Sequence, residues 1–278
     1  PPTALVVAGA DVCENQDATF EITGTANALV TYSVDGGVSQ NVTLDGSGKS
    51  TVTASSVTTN STIILSLVDD GVCTTVLTET ATVIVNPIPT GSVLALTDVC
   101  EGGDAIFEIT GTPNADVTYN IGTGANQLVR LDGAGSATIT EAGVTTNTVI
   151  NLTLVDNGAC TDVLTSTALV TVFPIPTAVV VAGADACPSG DAVFTITGTA
   201  NAVVTYNIGG AADQTVILNA GGTAIITESG VIAATTITLT LVDNGLCTDV
   251  LTETVTVNLR TPPTALVVAG ADVCENQD

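Results

Sequence analysis

The sequence has no histidine, no methionine and no tryptophan. Lysine and arginine total 3, at Lys49, Arg130 and Arg260, and aromatic residues make up 3% of 278. Each shortage excludes something. Without histidine, the commonest general base and metal ligand is missing. With so few cations there is no electrostatic footprint for nucleic acid or anionic lipid, and no nucleic-acid partner is expected. The longest apolar stretch, residues 168–184, carries Pro174 and Pro176 near its middle. It reads as strand, linker and strand, so no direct membrane insertion is expected.

What is present points one way. Asp and Glu total 28, giving a net charge of −25, yet 45% of residues are hydrophobic, too many for a disordered acidic tail. Threonine (50) and valine (39) together make nearly a third of the chain. Such β-branched side chains are stiff at χ1 and pack well on a pleated surface, which favours strands. The composition predicts an all-β, extracellular, non-enzymatic chain.

An internal repeat sets the organisation. Pro-Thr recurs at Pro2-Thr3, Pro89-Thr90, Pro176-Thr177 and Pro263-Thr264, always 87 residues apart. Cys13, Cys73, Cys100, Cys160, Cys187, Cys247 and Cys274 keep the same beat, with spacings alternating 60 and 27. Phe20, Phe107 and Phe194 are equivalent, as are Tyr32, Tyr119 and Tyr206; Phe173 falls outside the register. The expected division is repeat 1 at 1–88, repeat 2 at 89–175 and repeat 3 at 176–262. Residues 263–278 would be the first strand of a fourth repeat, or a strand completing the third. Residues 262–278 are identical to 1–17, an offset of 261, so the chain reads as a window on a longer array whose unit is three repeats.

Alternation of apolar and polar residues predicts strands in the first repeat at 4–8, 18–23, 28–34, 40–44, 49–54, 62–68 and 74–85. Phe20 and Ile22; Val30, Tyr32 and Val34; and Ile63, Leu65 and Leu67 are expected to point inward. The last set returns as Ile150, Leu152, Leu154 and as Ile237, Leu239, Leu241. Asp-Gly and Asn-Gly turns separate the runs, supplying the positive φ that tight hairpins need. Seven short strands in 87 residues are the pattern of an immunoglobulin-like β-sandwich. A continuous β-solenoid would show a shorter period, and none is evident.

Two cysteines per repeat, without metal-site spacing or a base to form a thiolate, suggest disulfides and an oxidising compartment. The favoured pairing lies within each repeat: Cys13–Cys73, Cys100–Cys160 and Cys187–Cys247, leaving Cys274 over. Closing a loop of about 60 residues stabilises a small domain by ~4 kcal/mol on the chain-entropy model. Against it, Cys13 and Cys73 fall at opposite poles of a standard sandwich. Two alternatives stay open. Cys73 and Cys100 are symmetric about the Pro87–Pro89 linker. Neighbouring repeats could also be joined pole to pole, Cys13 to Cys160 and Cys100 to Cys247.

Acidic residues gather beside the first cysteine of each repeat: Asp11, Glu14 and Asp17; Asp98, Glu101 and Asp104; Asp185 and Asp191; Asp272, Glu275 and Asp278. Carboxylates in a loop can hold Ca²⁺, but no EF-hand spacing is present and Pro188 replaces the central Glu. A solvated acidic loop is the favoured reading, with no cofactor expected. Paired carboxylates also serve glycosidases, but here they recur in every repeat without an aromatic sugar platform. About eight net negative charges per repeat would hold neighbouring repeats and fibres apart and keep edge-bearing sheets soluble.

Segments 68–90, 155–177 and 242–264 each run from an Asp-x-Gly-x-Cys turn through a Thr/Val strand to a Pro linker. The opening VCENQDATFEITGT adds a cysteine followed by an aromatic strand. These features resemble tandem immunoglobulin-like repeats of Bacteroidota cell-surface adhesins, the class that includes the giant SprB-type gliding-motility adhesin. Glu101-Gly102-Gly103 is nearest to that opening, while Glu14-Asn15-Gln16 lacks the glycine. Tyr32, Tyr119 and Tyr206 take the place of the central tryptophan. The resemblance implies type IX secretion, a bacterial cell-surface location and an adhesive or filament role. Expected partners are the neighbouring repeats and an external surface or glycan. The leading expectation is a stalk segment of a large adhesin. The rivals are a glycan- or Ca²⁺-binding surface module and a subunit of a self-assembling extracellular fibre.

Overall fold

The computed structural model describes residues 1–268. It is all-β. In the first repeat the chain runs through β1 (Ala4–Ala8), β2 (Val12–Cys13), β3 (Gln16–Gly24), β4 (Leu29–Val34) and β5 (Gln40–Thr43), then β6 (Lys49–Val57), β7 (Ser61–Asp69), β8 (Thr74–Val76), β9 (Thr80–Val83) and β10 (Val85–Asn86). One sheet has the order β1-β3-β6. The other has the order β5-β4-β7-β8, with β9 also pairing β7. These pairings are antiparallel.

The second repeat follows the same course with β11 (Gly91–Ala95), β12 (Val99–Cys100), β13 (Gly103–Gly111), β14 (Asp116–Ile121) and β15 (Gln127–Arg130), then β16 (Ser136–Val144), β17 (Thr148–Asp156), β18 (Thr161–Val163), β19 (Thr167–Val170) and β20 (Val172–Phe173). The third has β21 (Ala178–Ala182), β22 (Gly190–Gly198), β23 (Val203–Ile208), β24 (Gln214–Ile217), β25 (Thr223–Val231), β26 (Thr235–Asp243), β27 (Thr248–Val250) and β28 (Thr254–Val257). Strand orders repeat as β11-β13-β16 with β15-β14-β17-β18, and β21-β22-β25 with β24-β23-β26-β27. A three-stranded sheet and a larger antiparallel sheet sharing one core make each repeat an immunoglobulin-like sandwich.

The described chain divides into two compact units. One holds Pro1–Thr97, Asp104–Ala142 and Asn147–Thr171. The other holds Asp98–Gly103, Gly143–Thr146 and the chain from Val172 onward.

The cores are near-copies. Phe20, Ile22, Val30, Tyr32, Ile63 and Leu65 are buried in the first repeat, as are Phe107, Ile109, Val117, Tyr119, Ile150 and Leu152 in the second. Phe194, Ile196, Val204, Tyr206, Ile237 and Leu239 fill the third. Each tyrosine buries its ring and donates its hydroxyl to a glutamine on the neighbouring strand: Tyr32 to Gln40, Tyr119 to Gln127 and Tyr206 to Gln214.

Two details differ from simple alternation. Leu67, Leu154 and Leu241 are only partly buried, and Val68, Val155 and Val242 take the core positions instead. The cause is a β-bulge. Thr31 faces Leu67 but Tyr32 faces Leu65, so Ser66 is left over and the inward phase shifts by one. Ser66 bonds its hydroxyl to the Thr31 carbonyl, as Thr153 does to Thr118 and Thr240 to Thr205. The expected strand at 74–85 is also three pieces. Leu67 faces Val76 and Ile64 faces Thr80, which leaves one residue too many on the outer strand. Leu77 turns from this irregularity onto the core.

Residues 263–268 carry no strand and their side chains are exposed. The remainder of the expected fourth-repeat strand, with Asp272, Cys274, Glu275 and Asp278, lies outside the described residues.

Candidate functional site

Two local devices position the cysteines. The first is a short parallel ladder at one pole. Val12 and Cys13 of β2 face Val85 and Asn86 of β10. Val12 N donates to the Ile84 carbonyl and Glu14 N to the Asn86 carbonyl, both at 3.0 Å. Cys13 is thereby fixed beside the strand by which the chain leaves the repeat. In the second repeat, β12 and β20 pair in the same way, with Cys100 opposite Phe173 and Glu101 N donating to the Phe173 carbonyl at 2.8 Å.

The second device is the turn after the long central strand. Asn157 Oδ1 accepts from Ala159 N at 3.0 Å and Cys160 N at 2.8 Å, and Asn157 N donates to the Cys160 carbonyl at 3.1 Å. Asn244 holds Leu246 and Cys247 with the same set of bonds. Such Asx bonding lets a polar side chain replace the backbone partners a turn would lack.

The two devices meet. Cys13 is bonded to Cys160 with Cα atoms 5.9 Å apart, and Cys100 to Cys247 with Cα atoms 5.8 Å apart; each pair is separated by 147 residues. At the first bond, Cys13 Sγ lies 3.7 Å from the Ala159 carbonyl and Cys160 Sγ 3.7 Å from the Asn86 carbonyl. Asn157 Nδ2 donates to the Pro87 carbonyl at 3.4 Å. Each disulfide ties the start of one repeat to a turn of the next.

This corrects the favoured pairing: Cys13–Cys73, Cys100–Cys160 and Cys187–Cys247 are not formed. The pole-to-pole alternative is the one found. Cys13 lies near the start of β7, where Ser61 faces Val83, whereas Cys73 follows its end at Asp69. Nine residues of strand put roughly 27 Å between them at ~3.3 Å per residue, well beyond disulfide reach. Cys73 does not bond Cys100 either. Cys73 and Cys187 are exposed free thiols.

The pole carrying Cys187 differs from the other two. Ala186 bridges Leu259 in parallel, with Ala186 N donating to the Asn258 carbonyl at 2.9 Å and Arg260 N to the Ala186 carbonyl at 2.7 Å. The ladder stops there because Pro188 stands where Glu14 and Glu101 donate their backbone N–H. Arg260 Nε lies 3.3 Å from Asp185 Oδ2.

Two of the acidic candidates serve the backbone. Asp11 Oδ1 accepts from Ile84 N at 3.3 Å and Asp17 Oδ1 from Ser56 N at 2.9 Å. Asp98 and Asp104 also have interactions of their own, and Glu14 and Glu101 lie on the same loops. Among the described residues, no three His, Cys, Asp or Glu side chains converge as a metal site. A shallow cleft of about 360 Å³ in the third repeat is lined by Ile208, Gly209, Glu228, Val231, Ile232 and Thr236, among others. Its lining has one carboxylate, no aromatic ring and no nucleophile paired with a base.

Sequence reasoning had no means of finding the two-residue parallel ladders, which fall below any periodicity. The signal for the joints lay in the Asn-Gly-x-Cys turns, read there only as hairpins.

No family model matches the sequence, and no curated protein matches it. Similar solved structures exist. A marsupial T cell receptor covers 84% of this chain and 96% of its own at 11% identity, with a TM-score of 0.43. An ICAM-5 D1–D4 ectodomain fragment covers 96% and 79% at 12% identity, with a TM-score of 0.39. Sidekick-1 immunoglobulin domains 1–5 cover 94% and 58% at 12% identity, with a TM-score of 0.37. At these values the likeness carries no argument about function, and the architecture stands on the strand order described above.

Proposed function

We propose that the chain is a structural segment of an extracellular tether, the stalk of a large bacterial cell-surface adhesin. The observation that carries this reading is the pair of disulfides joining consecutive repeats, which turns three small sandwiches into a covalently braced series. Disulfides of this kind persist in oxidising, extracellular surroundings. The high negative charge keeps such a series soluble and discourages lateral association. Export by type IX secretion and a part in gliding or surface attachment belong to the proposal through the adhesin-like Cys and Pro motifs. Sugar binding is disfavoured because Phe20, Phe107, Phe194 and the three tyrosines bury their rings, which leaves only the half-buried Phe173 and no paired aromatic platform.

The test is antibody labelling of intact against permeabilised cells, combined with deletion of the three repeats. Labelling of intact cells and loss of surface attachment on deletion are expected. Labelling only after permeabilisation would overturn the reading.

A further inference from the structure

Cys73 and Cys187 are the free thiols among the described residues, and both are exposed. Each belongs to a device that forms a disulfide elsewhere in the chain. In the turn of the first repeat, Asp70 Oδ1 accepts from Val72 N at 2.9 Å and Cys73 N at 2.7 Å, and Asp70 N donates to the Cys73 carbonyl at 3.2 Å. This is the turn that presents Cys160 and Cys247. Cys187 stands at the pole position of Cys13 and Cys100. There Ser189 N donates to the Val231 carbonyl as Asn15 N does to Val57 and Gly102 N to Val144. The turn is built as at the other joints, and the pole keeps its Ser189 bond and the Ala186–Leu259 bridge in spite of Pro188, so the two halves are of complementary kind.

Two residues depart from the other repeats in a matching sense. Asp70 stands where Asn157 and Asn244 stand, and Asn157 reaches across its joint to the Pro87 carbonyl. Arg260 stands where Asn86 and Phe173 stand, whose carbonyls lie 3.7 and 3.8 Å from Cys160 and Cys247 Sγ. With the charge of Arg260 set against those of Asp185 and Asp191, and Pro188 in place of a glutamate, this pole is the least acidic of the three, and it offers the turn with the extra carboxylate a cation that the other poles lack. The backbone N–H groups of Cys73 and Val72 hold the Asp70 carboxyl below the usual carboxylate range, so it is charged at neutral pH. A guanidinium paired through Nε has further N–H groups to offer.

The register agrees. Both built bonds join a cysteine to one 147 residues further on. Counting 147 on from Cys187 and subtracting the 261-residue period lands on position 73.

We propose that successive copies of this 261-residue unit join head to tail, Cys187 of one copy bonding Cys73 of the next while Arg260 faces Asp70 across the joint. Thiol–disulfide exchange with a small-molecule disulfide supplies the oxidant. One protein thiolate attacks it and releases one small thiol. The other protein thiolate then displaces the second, so two protein thiols are oxidised as one small disulfide is reduced to two thiols. The joint uses different surfaces on the two copies, so it extends rather than closes. It rests on the built joints and not on the tether reading. A free-solution assay therefore tests it separately.

The experiment oxidises the full chain, carrying Cys274→Ser, with glutathione disulfide. Products are read on non-reducing gels, and linked peptides by mass spectrometry. A ladder of oligomers is expected, with the Cys73–Cys187 bond outnumbering like-with-like bonds about tenfold, because complementary charge selects the partner surface. Cys73→Ser should abolish the ladder. Arg260→Glu should slow it several-fold, and adding Asp70→Asn, which keeps the cap of the turn, should relieve that loss. No ladder, like-with-like bonds as frequent as mixed ones, or a rate blind to Arg260→Glu would each overturn the proposal.

Discussion

Asn157 donates its side-chain amide to the Pro87 carbonyl, one residue past Asn86, whose own carbonyl lies 3.7 Å from Cys160 Sγ. The joint between the first two repeats is close, polar and covalently closed, so stability there belongs to a pair of sandwiches. Closing a loop of about 147 residues contributes ~5 kcal/mol on the chain-entropy model. Calorimetry with and without reductant should show the oxidised transition falling and splitting on reduction. Cys13→Ser should reproduce the part of the loss that belongs to the first joint, and Cys73→Ser should leave the transition unchanged. Melting indifferent to reductant would remove the coupling.

The same bonds limit extension. In the oxidised chain the shortest covalent route runs from residue 1 to Cys13, across to Cys160, back to Cys100, across to Cys247 and on to 278. That is about 100 residues, or ~35 nm fully stretched, against ~95 nm for the reduced chain at ~3.5 Å per residue. Single-molecule pulling in the two redox states measures both lengths. Equal lengths would mean the disulfides do not form.

Acid sensitivity should differ between repeats. Asp45 caps its turn by accepting from the Ser47 hydroxyl, Lys49 N and Ser47 N, and Asp132 does so from Ser136 N and Ala134 N. These bonds, the Ser47 hydroxyl first for Asp45 and Ser136 N first for Asp132, hold both carboxyls below their ordinary range. A depressed folded pKa contributes stability that is present above the unfolded value and lost as pH falls through the folded one. Asn219 fills this place in the third repeat, bonding Gly221 N and Thr223 N with no proton to take up. Hydrogen exchange followed below about pH 4 should show the first two repeats losing protection at these turns before the third. Asp132→Asn should flatten the response of the second.

Gly135 has φ +81, and a Cβ there would stand 2.2 Å from the Gly111 carbonyl oxygen. That carbonyl belongs to the residue whose own N–H bonds back to Gly135. Gly135→Ala should destabilise the second repeat by about 2–4 kcal/mol, through a strained backbone and a lost contact. Gly133→Ala, in the same turn but with open space around it, is the control and should cost little. Denaturant midpoints of the two variants make the comparison.

The repeat, most strand positions and the core positions of Phe20 and Tyr32 were legible because alternation and Asp-Gly turns are local signals. The phase slip at Ser66 was not, since a bulge is set by how β4 pairs β7 and not by the residues of β7 alone. The cysteine partners were legible only in part. The expected sandwich put Cys13 and Cys73 at opposite poles and left Cys13–Cys160 and Cys100–Cys247 open, but spacing within a repeat favoured the wrong pairing. Asp70 and Arg260 stand out in the sequence as departures from their equivalents, yet nothing there says that both stand at positions that form joints in the other repeats.

The loops closed by Cys13–Cys160 and Cys100–Cys247 overlap. A protease that cuts a single peptide bond anywhere from Cys13 to Cys247 therefore leaves its fragments attached, and between Cys100 and Cys160 attached twice over. A nick that would sever an ordinary string of beads becomes a local wound in a molecule still in one piece.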